Sequence, residues 1–296
     1  MITLFSTPKD FTGIFKTIQL NALRSWRALS PEIQIVIFGD SKGSKEAAQE
    51  VQADYIAKVK CSPQSTPILS DLFNQAQNIA NYSIMTFINA DIILPKNFLE
   101  IIQLASQEFR KFLMMGHRWD MDVEKIINFN VENDIIDFWN SAKETSKQHP
   151  CTGIDYFVFK KGQFNNIPNF IIGRWGWDNW LIWKARRKRI PVIDASSIIT
   201  VIHQNHDYNF HHVKNKKDVE TGKEARINIE LHQGRLLNIL DANYKFCGEK
   251  IKKKTDQDEI IRFWHRLPSV FPELALLIKL FRRIRLRSLD IEQNSL

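Results

Sequence analysis

The sequence predicts an α/β fold with a mostly parallel central sheet flanked by helices and a helical extension at its C-terminal end. Short apolar runs alternate with amphipathic segments over the first two thirds of the 296 residues, which is the pattern of βαβ units. Residues 83–88 are apolar on both faces, as expected for a central strand covered by helices on each side. After about residue 200 the pattern changes to polar segments rich in His, Asn and aromatic residues.

Each element is predicted from its own periodicity. Strands are predicted at residues 2–6, 34–38, 83–88, 111–115, 156–159, 191–193 and 197–202. Helices are predicted at residues 14–29, 67–81, 97–109, 224–240 and 272–289, where apolar residues recur at helical spacing. Residues 250–258 are predicted to be a linker. This divides the chain into a domain at 1–245 and a basic linker with an amphipathic helix at 246–296.

Composition excludes several classes of protein. With 44% hydrophobic and 25% charged residues the chain is globular, and its apolar runs are too short for a membrane-spanning helix. Three separated cysteines without a CxxC pair argue against a disulfide framework, and the first residues lack the pattern of a secretory signal. We therefore expect a cytoplasmic protein. The glycine-rich phosphate loops of dinucleotide-binding enzymes and P-loop NTPases are missing from the sequence.

The net charge of +8 is concentrated near the C-terminal end, since residues 250–296 carry 11 Lys and Arg against 6 Asp and Glu. Two interpretations of the basic helix at 272–289 remain open. It lies on an anionic membrane surface as a peripheral anchor, or it packs on the domain with a solvated basic face. Nucleic-acid binding is disfavoured because no binding motif accompanies the charge.

A GxSxG pattern at residues 39–43 follows the second predicted strand, which is the context of a serine nucleophile elbow with Ser41 as the nucleophile. A plain strand-to-helix turn is the favoured interpretation, because no oxyanion-hole segment precedes the pattern. Asp40 is of more interest, since a carboxylate at the end of a strand can bind ribose hydroxyls or a base edge.

Three other segments carry side chains suited to chemistry. Asn89 and Asp91 end the apolar central strand. Asp91 is a ligand for Mn²⁺ or Mg²⁺, a helix N-cap near Pro95, or a residue that lines a turn. The tryptophan-rich segment 173–180 is either core packing or a sugar site, with Asp178 as a base or an N-cap. His203 and His206 are either metal ligands or surface residues, and zinc is disfavoured because cysteine ligands are lacking.

Taken in order, these segments resemble GT-A-fold glycosyltransferases close to the family-2 type, which use nucleotide-sugar donors. The resemblance runs from Leu4 to about Leu240. The motifs that carry it are Ser6-Thr7-Pro8, Phe38-Gly39-Asp40, Ser65-Thr66-Pro67, Ile88-Asn89-Ala90-Asp91, Gly153-Ile154-Asp155-Tyr156, Trp175-Gly176-Trp177-Asp178 and His203-Gln204-Asn205-His206.

The resemblance implies a role for each matched residue. Contacts to the donor and its nucleoside are implied for Thr7, Asp40, Asn89, Asp155, Trp175 and Trp177. Asp91 matches the last acid of the family's DxD motif and, with His203 or His206, implies a site for Mn²⁺ or Mg²⁺ beside the donor diphosphate. Asp178 matches the segment that carries the catalytic base of inverting members.

Two positions depart from the family pattern. Asn89 replaces the first acid of DxD, and the base segment reads Trp177-Asp178-Asn179, so its alignment is ambiguous by one residue. The resulting hypothesis is a metal-assisted, inverting transfer of a sugar to a hydroxyl on a glycan, lipid-linked or small-molecule acceptor. The alternatives are a serine hydrolase using Ser41 and a non-catalytic module that binds nucleotide sugars or glycans.

Overall fold

The computed structural model describes residues 1–206 and 216–274. The α-helices are α1 Gly13–Leu29, α2 Ser44–Glu50, α3 Leu69–Ile79, α4 Phe98–Glu108, α5 Glu132–Thr145, α6 Trp177–Arg187, α7 Lys216–Thr221, α8 Lys223–His232 and α9 Gln257–Val270. The strands are β1 Thr3–Ser6, β2 Gln34–Phe38, β3 Asp54–Ile56, β4 Ile84–Ile88, β5 Ile92–Ile93, β6 Leu113–Met115, β7 Arg118–Met121, β8 Lys147–Gln148, β9 Tyr156–Lys160, β10 Val192–Asp194, β11 Val201–Gln204, β12 Tyr244–Cys247 and β13 Lys250–Lys253. Short 3₁₀ turns lie at Ile239–Asp241 and Pro272–Leu274.

The main sheet has nine strands in the order β13-β12-β10-β6-β9-β4-β1-β2-β3. Most neighbours are parallel, and β9 runs antiparallel between β4 and β6. This confirms the predicted α/β fold with a mostly parallel sheet. Because β1, β2 and β4 are adjacent and parallel, the residues that follow them converge at one edge of the sheet, where ligands of such sheets bind.

Alternating side chains of the strands build two cores, one on each face of the sheet. On β1, Leu4 packs in the core beneath α1, α2 and α4, whereas the next residue, Phe5, packs in the core beneath α3 and α6. The second core is rich in aromatic rings, and the ring of Phe73 stacks on that of Phe159 with centroids 5.3 Å apart. Burial of both faces explains why the central strands are apolar throughout.

A second sheet lies beside the carboxyl end of β4, in the order β5-β11-β7-β8. Its register pairs His203 of β11 with Ile92 of β5 on one side and with Asp120 of β7 on the other. Trp119 and Met121, which alternate with Asp120 along β7, pack in a third apolar cluster with α5. The small sheet is therefore apolar on one face and carries the polar residues of the site on the other.

The sequence prediction differs from the structure in several places, for example at α2, β3 and β12, for which it contains no element. The helix predicted at residues 224–240 ends at His232, because Gln233 adopts a left-handed conformation with φ of 51°. Residues 250–258, predicted as a linker, contain β13 and the start of α9, so the main sheet continues past the boundary predicted at residue 245. Strand β7 and helix α5 lie in segments to which the sequence analysis assigned no element.

The predicted basic helix at 272–289 begins in the 3₁₀ turn Pro272–Leu274 and otherwise lies outside the described residues. Within the two described ranges, the helices are too short or too polar to cross a bilayer.

Candidate active site

Thr7 and Asp40 lie side by side where β1 and β2 end. The connection turns sharply at Gly39, whose φ of 96° is left-handed, and a Cβ there would lie 3.3 Å from Thr7 Oγ1. Asp40 is exposed. The pKa values of the Tyr55 hydroxyl and the Cys61 thiol are raised, first by the burial of those two groups and second by the negative charge of Asp40. The structure therefore brings together the two residues for which the resemblance implies nucleoside contacts.

Asp91 lies in the short connection between β4 and β5. It is not a helix N-cap, because the next helix, α4, begins at Phe98. Its backbone is fixed by Gln204, which is fully buried and donates from both its backbone nitrogen and its side-chain amide to the carbonyl oxygen of Asp91, at 3.2 and 3.0 Å. The Gln204 amide also donates to the carbonyl of Ile18, so α1, β11 and the Asp91 connection form one rigid unit.

Asp91, His203 and His206 form the candidate metal centre. Oδ2 of Asp91 lies 3.2 Å from Nε2 of His206 and 3.8 Å from Nε2 of His203, and one potential ligand atom from each residue lies within 4.8 Å of the others. Burial alone would raise the pKa of the Asp91 carboxyl, but His203, His206 and the ammonium group of Lys9 together hold it well below its usual range. The carboxylate is thus charged in the folded protein.

The residues of this centre fit a divalent cation. Oδ2 of Asp91 faces both imidazoles, and the other oxygen, Oδ1, is buried and accepts no hydrogen bond from the described residues, so the charged carboxylate is only partly satisfied. A carboxylate and two imidazoles suit Mn²⁺ among the divalent ions that assist phosphate chemistry, and Mg²⁺ would have to complete its shell with oxygen ligands from water or substrate. All three ligands predicted from the sequence are brought together.

Asp120, for which the sequence predicts no role, lies behind the metal centre, close to His203. Its Oδ1 lies 3.1 Å from Nδ1 of His203, and its Oδ2 lies 2.6 Å from Nδ1 of His149. Arg118 Nε is 2.9 Å from the same carboxylate. Burial would raise the pKa of Asp120, but the bonds to His203 and His149 and the charge of Arg118 lower it well below its usual range.

This geometry assigns Asp120 a positioning role. A carboxylate on Nδ1 of His203 keeps the proton on that nitrogen and leaves the lone pair of Nε2 directed at Asp91. The only signal in the sequence was the alternation of polar and apolar residues in Arg118-Trp119-Asp120-Met121. That pattern predicts a half-buried strand, but it cannot say which strand lies beside it.

Asp120→Asn is expected to weaken Mn²⁺ binding by about 10- to 100-fold, because the amide no longer fixes the tautomer of His203. Calorimetric titration with Mn²⁺ measures this directly. The matched control is Asp137→Asn on the exposed face of α5, which should bind Mn²⁺ as the unmodified protein does. Equal affinities for the two variants would contradict the positioning role.

Asn89 and Asp155 form the next layer of the site. The side-chain amide of Asn89 donates to Oδ1 of Asp155, and Arg118 donates to Oδ2 at 2.9 Å. Asp155 is 7% exposed, so its two oxygens are both engaged inside the protein. Asn89 therefore contacts Asp155 rather than Asp91, and Arg118 connects Asp155 with Asp120.

Asp178 is the second residue of α6, whose N-cap is Gly176, so Asp178 is not the N-cap. The pKa of its carboxyl is raised to about 6, chiefly because burial disfavours the charged form, and the negative charge of Asp155 adds to the shift. Backbone hydrogen bonds at Asn179 and Gly176 oppose this rise. A carboxylate with a pKa near the working pH is suited to accept a proton from a hydroxyl.

The neighbours of Asp178 separate into surface and core. Trp175 is 41% exposed, with its ring edge-on to His232 at 5.2 Å. Trp177 is 6% exposed and packs against Phe87 and Phe157, which argues against the stacking role implied for it.

Asn179, the other candidate for the base position, is committed to a structural contact. Its side-chain amide donates to the carbonyl oxygen of Leu237 at 2.8 Å, and its own carbonyl accepts from the Leu237 backbone at 3.2 Å. Since Asn179 is 6% exposed, its side chain faces the interior. Asp178 is therefore the remaining candidate for the base at this helix start.

A buried ion pair holds this loop in place. Glu224, at the start of α8, is 4% exposed and binds the guanidinium of Arg174 as well as the hydroxyls of Ser62 and Thr66. The left-handed conformation of Gly176, with φ of 102°, lets the loop pass above His232, where a Cβ would lie 2.8 Å from the imidazole. The approach to Asp178 is therefore built by three separate segments.

Glu224→Gln is expected to lower the free energy of unfolding by about 3 kcal/mol, because it leaves the buried guanidinium of Arg174 without a compensating charge. Urea denaturation measures the change. Glu230→Gln, on the exposed side of the same helix, is the control and should change stability by less than about 0.5 kcal/mol. If Glu224→Gln also lowered the free energy of unfolding by less than about 0.5 kcal/mol, the ion pair would not stabilise the fold.

Ser41 is not arranged as a nucleophile. Its hydroxyl donates to the carbonyl of Pro8 at 3.0 Å, and no described histidine is hydrogen-bonded to it. Gly43 is the left-handed N-cap of α2, so the GxSxG pattern forms a strand-to-helix turn. The structure thus offers no support for the serine hydrolase alternative.

No protein-family model matches the chain, and no curated protein matches it. Among solved structures, it is similar to M. tuberculosis glucosyl-3-phosphoglycerate synthase, with 12% identity, a TM-score of 0.47 and 80% of each chain covered. A structure of that enzyme in complex with Mn²⁺, UDP and phosphoglyceric acid matches with 13% identity and a TM-score of 0.46, over 79% of this chain and 78% of that one.

The chain is also similar to S. aureus TarS 1–349 in complex with UDP-GlcNAc, with 12% identity and a TM-score of 0.45. That match covers 70% of this chain and 59% of the other, so the chain spans about three fifths of the length of TarS 1–349. With TM-scores below 0.5, these likenesses carry no weight in assigning the activity, which is argued from the residues of the site.

Proposed function

We propose that this protein is a glycosyltransferase that moves a sugar from a nucleotide-sugar donor to a hydroxyl group of an acceptor, with inversion at the anomeric carbon. One observation carries the proposal. A centre of one carboxylate and two imidazoles, with His203 buried and Asp91 and His206 half-buried, lies at the carboxyl edge of the sheet. Beside it, Asp155 binds Asn89 and Arg118, and the charge of Asp155 helps to raise the pKa of Asp178.

The nucleoside would bind beside Thr7 and Asp40, at the adjoining ends of β1 and β2. The donor diphosphate would then extend toward Asp91, His203 and His206, which would hold Mn²⁺ or Mg²⁺. When bound, the cation would neutralise negative charge on the diphosphate as it leaves. This arrangement accounts for the missing glycine-rich loop, because the protein needs no backbone nest for the phosphates.

Lys9 adds a fixed positive charge on the same side. Its backbone is bonded in both directions by the buried side chain of Gln19, at 2.6 and 3.0 Å, and its ammonium lies 4.5 Å from the ring centre of Phe15. Its charge acts on Asp91. The centre has one carboxylate fewer than a DxD pair, because position 89 is Asn, and Lys9 makes it still more favourable to an anionic group.

The reaction follows from the placement of Asp178. Its carboxylate accepts the proton of the acceptor hydroxyl while that oxygen forms a bond to the anomeric carbon. The bond between the anomeric carbon and the phosphate oxygen breaks, and its electron pair leaves with the nucleoside diphosphate. Trp175, whose ring is partly exposed beside this position, supplies a face on which a sugar ring can stack.

The test is a thermal-shift screen of UDP-, GDP-, CMP- and dTDP-sugars, each with Mn²⁺ and with EDTA. A ligand that binds only the folded state raises the melting temperature. We expect a shift with one nucleotide class that disappears in EDTA, followed by release of nucleoside diphosphate when an acceptor is supplied. The absence of a shift with every donor would overturn the proposal. Binding without transfer or hydrolysis would instead support a non-catalytic binding module.

The cation is proposed to be Mn²⁺ or Mg²⁺, and the protein to act in the cytoplasm, either free or peripherally bound to a membrane. The acceptor class remains as predicted from the sequence, a hydroxyl on a glycan, a lipid-linked molecule or a small molecule.

A further inference from the structure

A cavity of about 610 Å³ lies at the far end of α6 from Asp178. It is enclosed by the last turn of α6, the 3₁₀ turn Ile239–Asp241, the end of β13 and helix α9. Since α6 has 11 residues and rises about 1.5 Å per residue, roughly 16 Å of helix separates its ends. The cavity is therefore distinct from the candidate active site and is not explained by the proposed reaction.

The floor of the cavity is apolar and its sides are basic. Leu237, Leu267 and Val270 are buried at its floor, and Ile260 and Phe263 of α9 line it while partly exposed. Its six basic residues outnumber its two acidic ones. The basic residues are Arg186, Arg189, Lys253, Lys254, Arg262 and Arg266, and the acidic residues are Asp241 and Glu259.

Both acidic residues are already neutralised by partners in the cavity wall. Asp241 is bound by Arg262 Nε at 2.8 Å and by Arg266 Nε at 3.4 Å, and Glu259 lies 3.4 Å from Lys254 Nζ. Three of the six cations remain, Lys253 and the guanidinium groups of Arg186 and Arg189. None of these three forms an ion pair with a carboxylate of the described residues.

Arg186 and Arg189 instead contact aromatic rings. Arg186 lies 5.5 Å from the ring centre of Phe263, and Arg189 lies 5.7 Å from that of Phe271. Burial lowers the pKa of Arg186, and the negative charge of Asp241 opposes this change. Two cations beside an apolar floor match the chemistry of an amphiphile with an anionic head and a hydrocarbon chain.

The surface around the cavity extends this chemistry. The large apolar side chains exposed here are Leu240, Ile260, Ile261, Phe263 and Leu274, each at least 36% exposed. Four of these five side chains, all but Ile261, also line the cavity, and grouped exposed apolar side chains are typical of an interaction site. From Leu274 at the rim, the sequence continues with Lys279, Arg282, Arg283, Arg285 and Arg287 among Leu, Ile and Phe residues. Basic and apolar residues together favour an anionic bilayer as the partner.

We propose that the cavity and the exposed face of α9 form a binding site for anionic phospholipid, through which the protein docks on a membrane. The headgroup phosphate is held by Arg186 and Arg189, and the first carbons of the acyl chain lie against Leu237 and Val270. This inference does not depend on the proposed glycosyltransferase activity, because the site shares no residue with the candidate active site.

The test is flotation of the full-length protein with vesicles of phosphatidylcholine alone or with about 30 mol% phosphatidylglycerol added. We expect binding only to the anionic vesicles, and a loss of at least about tenfold in Arg189→Gln and in Ile260→Ser. The matched controls are Lys16→Gln, at an exposed position of α1, and Ile136→Ser on α5, where the isoleucine is 48% exposed, as Ile260 is. Both controls should bind as the unmodified protein does.

Three outcomes would overturn the proposal. The first is absence of vesicle binding, including the case in which the protein forms dimers that Ile260→Ser disrupts. The second is equal binding to neutral vesicles. The third is full binding by both Arg189→Gln and Ile260→Ser, with binding lost instead when Arg282 and Arg283 are changed to Gln. That result would assign membrane contact to the basic tail alone. Donor binding in the same variants should be unchanged, so this test and that of the proposed activity fail separately.

Discussion

Asp178→Asn is expected to reduce the rate of sugar transfer by about 10³-fold while the affinity for the donor changes by less than about twofold. The amide has the shape of the carboxylate but cannot accept the proton of the acceptor hydroxyl. Asp137→Asn on α5 is the matched control for loss of an acid. Initial rates with saturating donor, together with donor titration by calorimetry, separate the two effects. Full activity in Asp178→Asn would remove Asp178 from the mechanism.

The raised pKa of Asp178 makes a second measurement possible on the same residue. Because the base must be deprotonated, the transfer rate should rise with pH through about 6, the pKa of this carboxyl, and then level off. Asp155, whose charge faces Asp178, supports the shift, so Asp155→Asn should move this limb to lower pH. A flat profile between pH 5 and 7 would exclude Asp178 as the group that titrates.

The same shift has the opposite consequence for stability. The folded protein holds the proton of Asp178 more tightly than the unfolded chain, whose carboxyl has the ordinary pKa of 3.8. Protonated Asp178 therefore contributes to the stability of the fold. This contribution is complete below pH 3.8 and is lost as the pH rises through about 6. At neutral pH, Asp178→Asn should consequently melt at a higher temperature than the unmodified protein, although it is inactive. This trade of stability for activity is typical of functional residues.

Asp91→Asn is expected to abolish the part of donor binding that depends on Mn²⁺. Loss of a hydrogen-bond partner behind a metal ligand costs about 10- to 100-fold in metal affinity, so loss of the ligand itself should lower the Mn²⁺ affinity by at least about 100-fold. The substitution removes the only carboxylate of the three-residue centre. In thermal-shift measurements, the variant with Mn²⁺ should behave as the unmodified protein does in EDTA. Asp137→Asn again serves as the control.

A different result would relocate the metal. If all three variants, Asp91→Asn, His203→Ala and His206→Ala, still responded to Mn²⁺, the cation would bind elsewhere. If only the histidine variants kept it, Asp91 alone would hold the cation, as expected of a carboxylate that binds Mg²⁺ together with substrate phosphates. The approach of ligand atoms from Asp91, His203 and His206 to within 4.8 Å of one another favours a site shared by all three residues.

Much of the fold could be predicted from local patterns. Residues 34–38 form a strand with the predicted bounds, and the apolar run at 83–88 forms β4 in the middle of the sheet. Asp91, His203 and His206 are predicted as metal ligands because they lie at or just after the ends of such runs. The structure brings all three together. Strand periodicity and strand ends depend on neighbouring residues in the chain, so a single sequence contains this information.

Other features depended on contacts between distant segments. Trp175 and Trp177 are the same residue type and lie two positions apart. Trp177 is buried against Phe87, whereas Trp175 is exposed. The strand and helix at 250–270 were missed because their charged residues resemble a linker when taken alone. Pairing of β13 with β12 and packing of Leu267 and Val270 against the domain stabilise them.

The sequence by itself therefore determined the alternating α/β architecture, the strand ends that carry Asp40 and Asp91, and the residue types available for chemistry. Only the tertiary structure decided that Asp120 lies behind His203, that Arg118 connects it to Asp155, and that two arginines border a cavity beyond α6. The physical reason is the range of the interactions. Backbone propensity and side-chain periodicity act over a few residues, whereas strand order and ion pairing join residues that lie far apart along the chain.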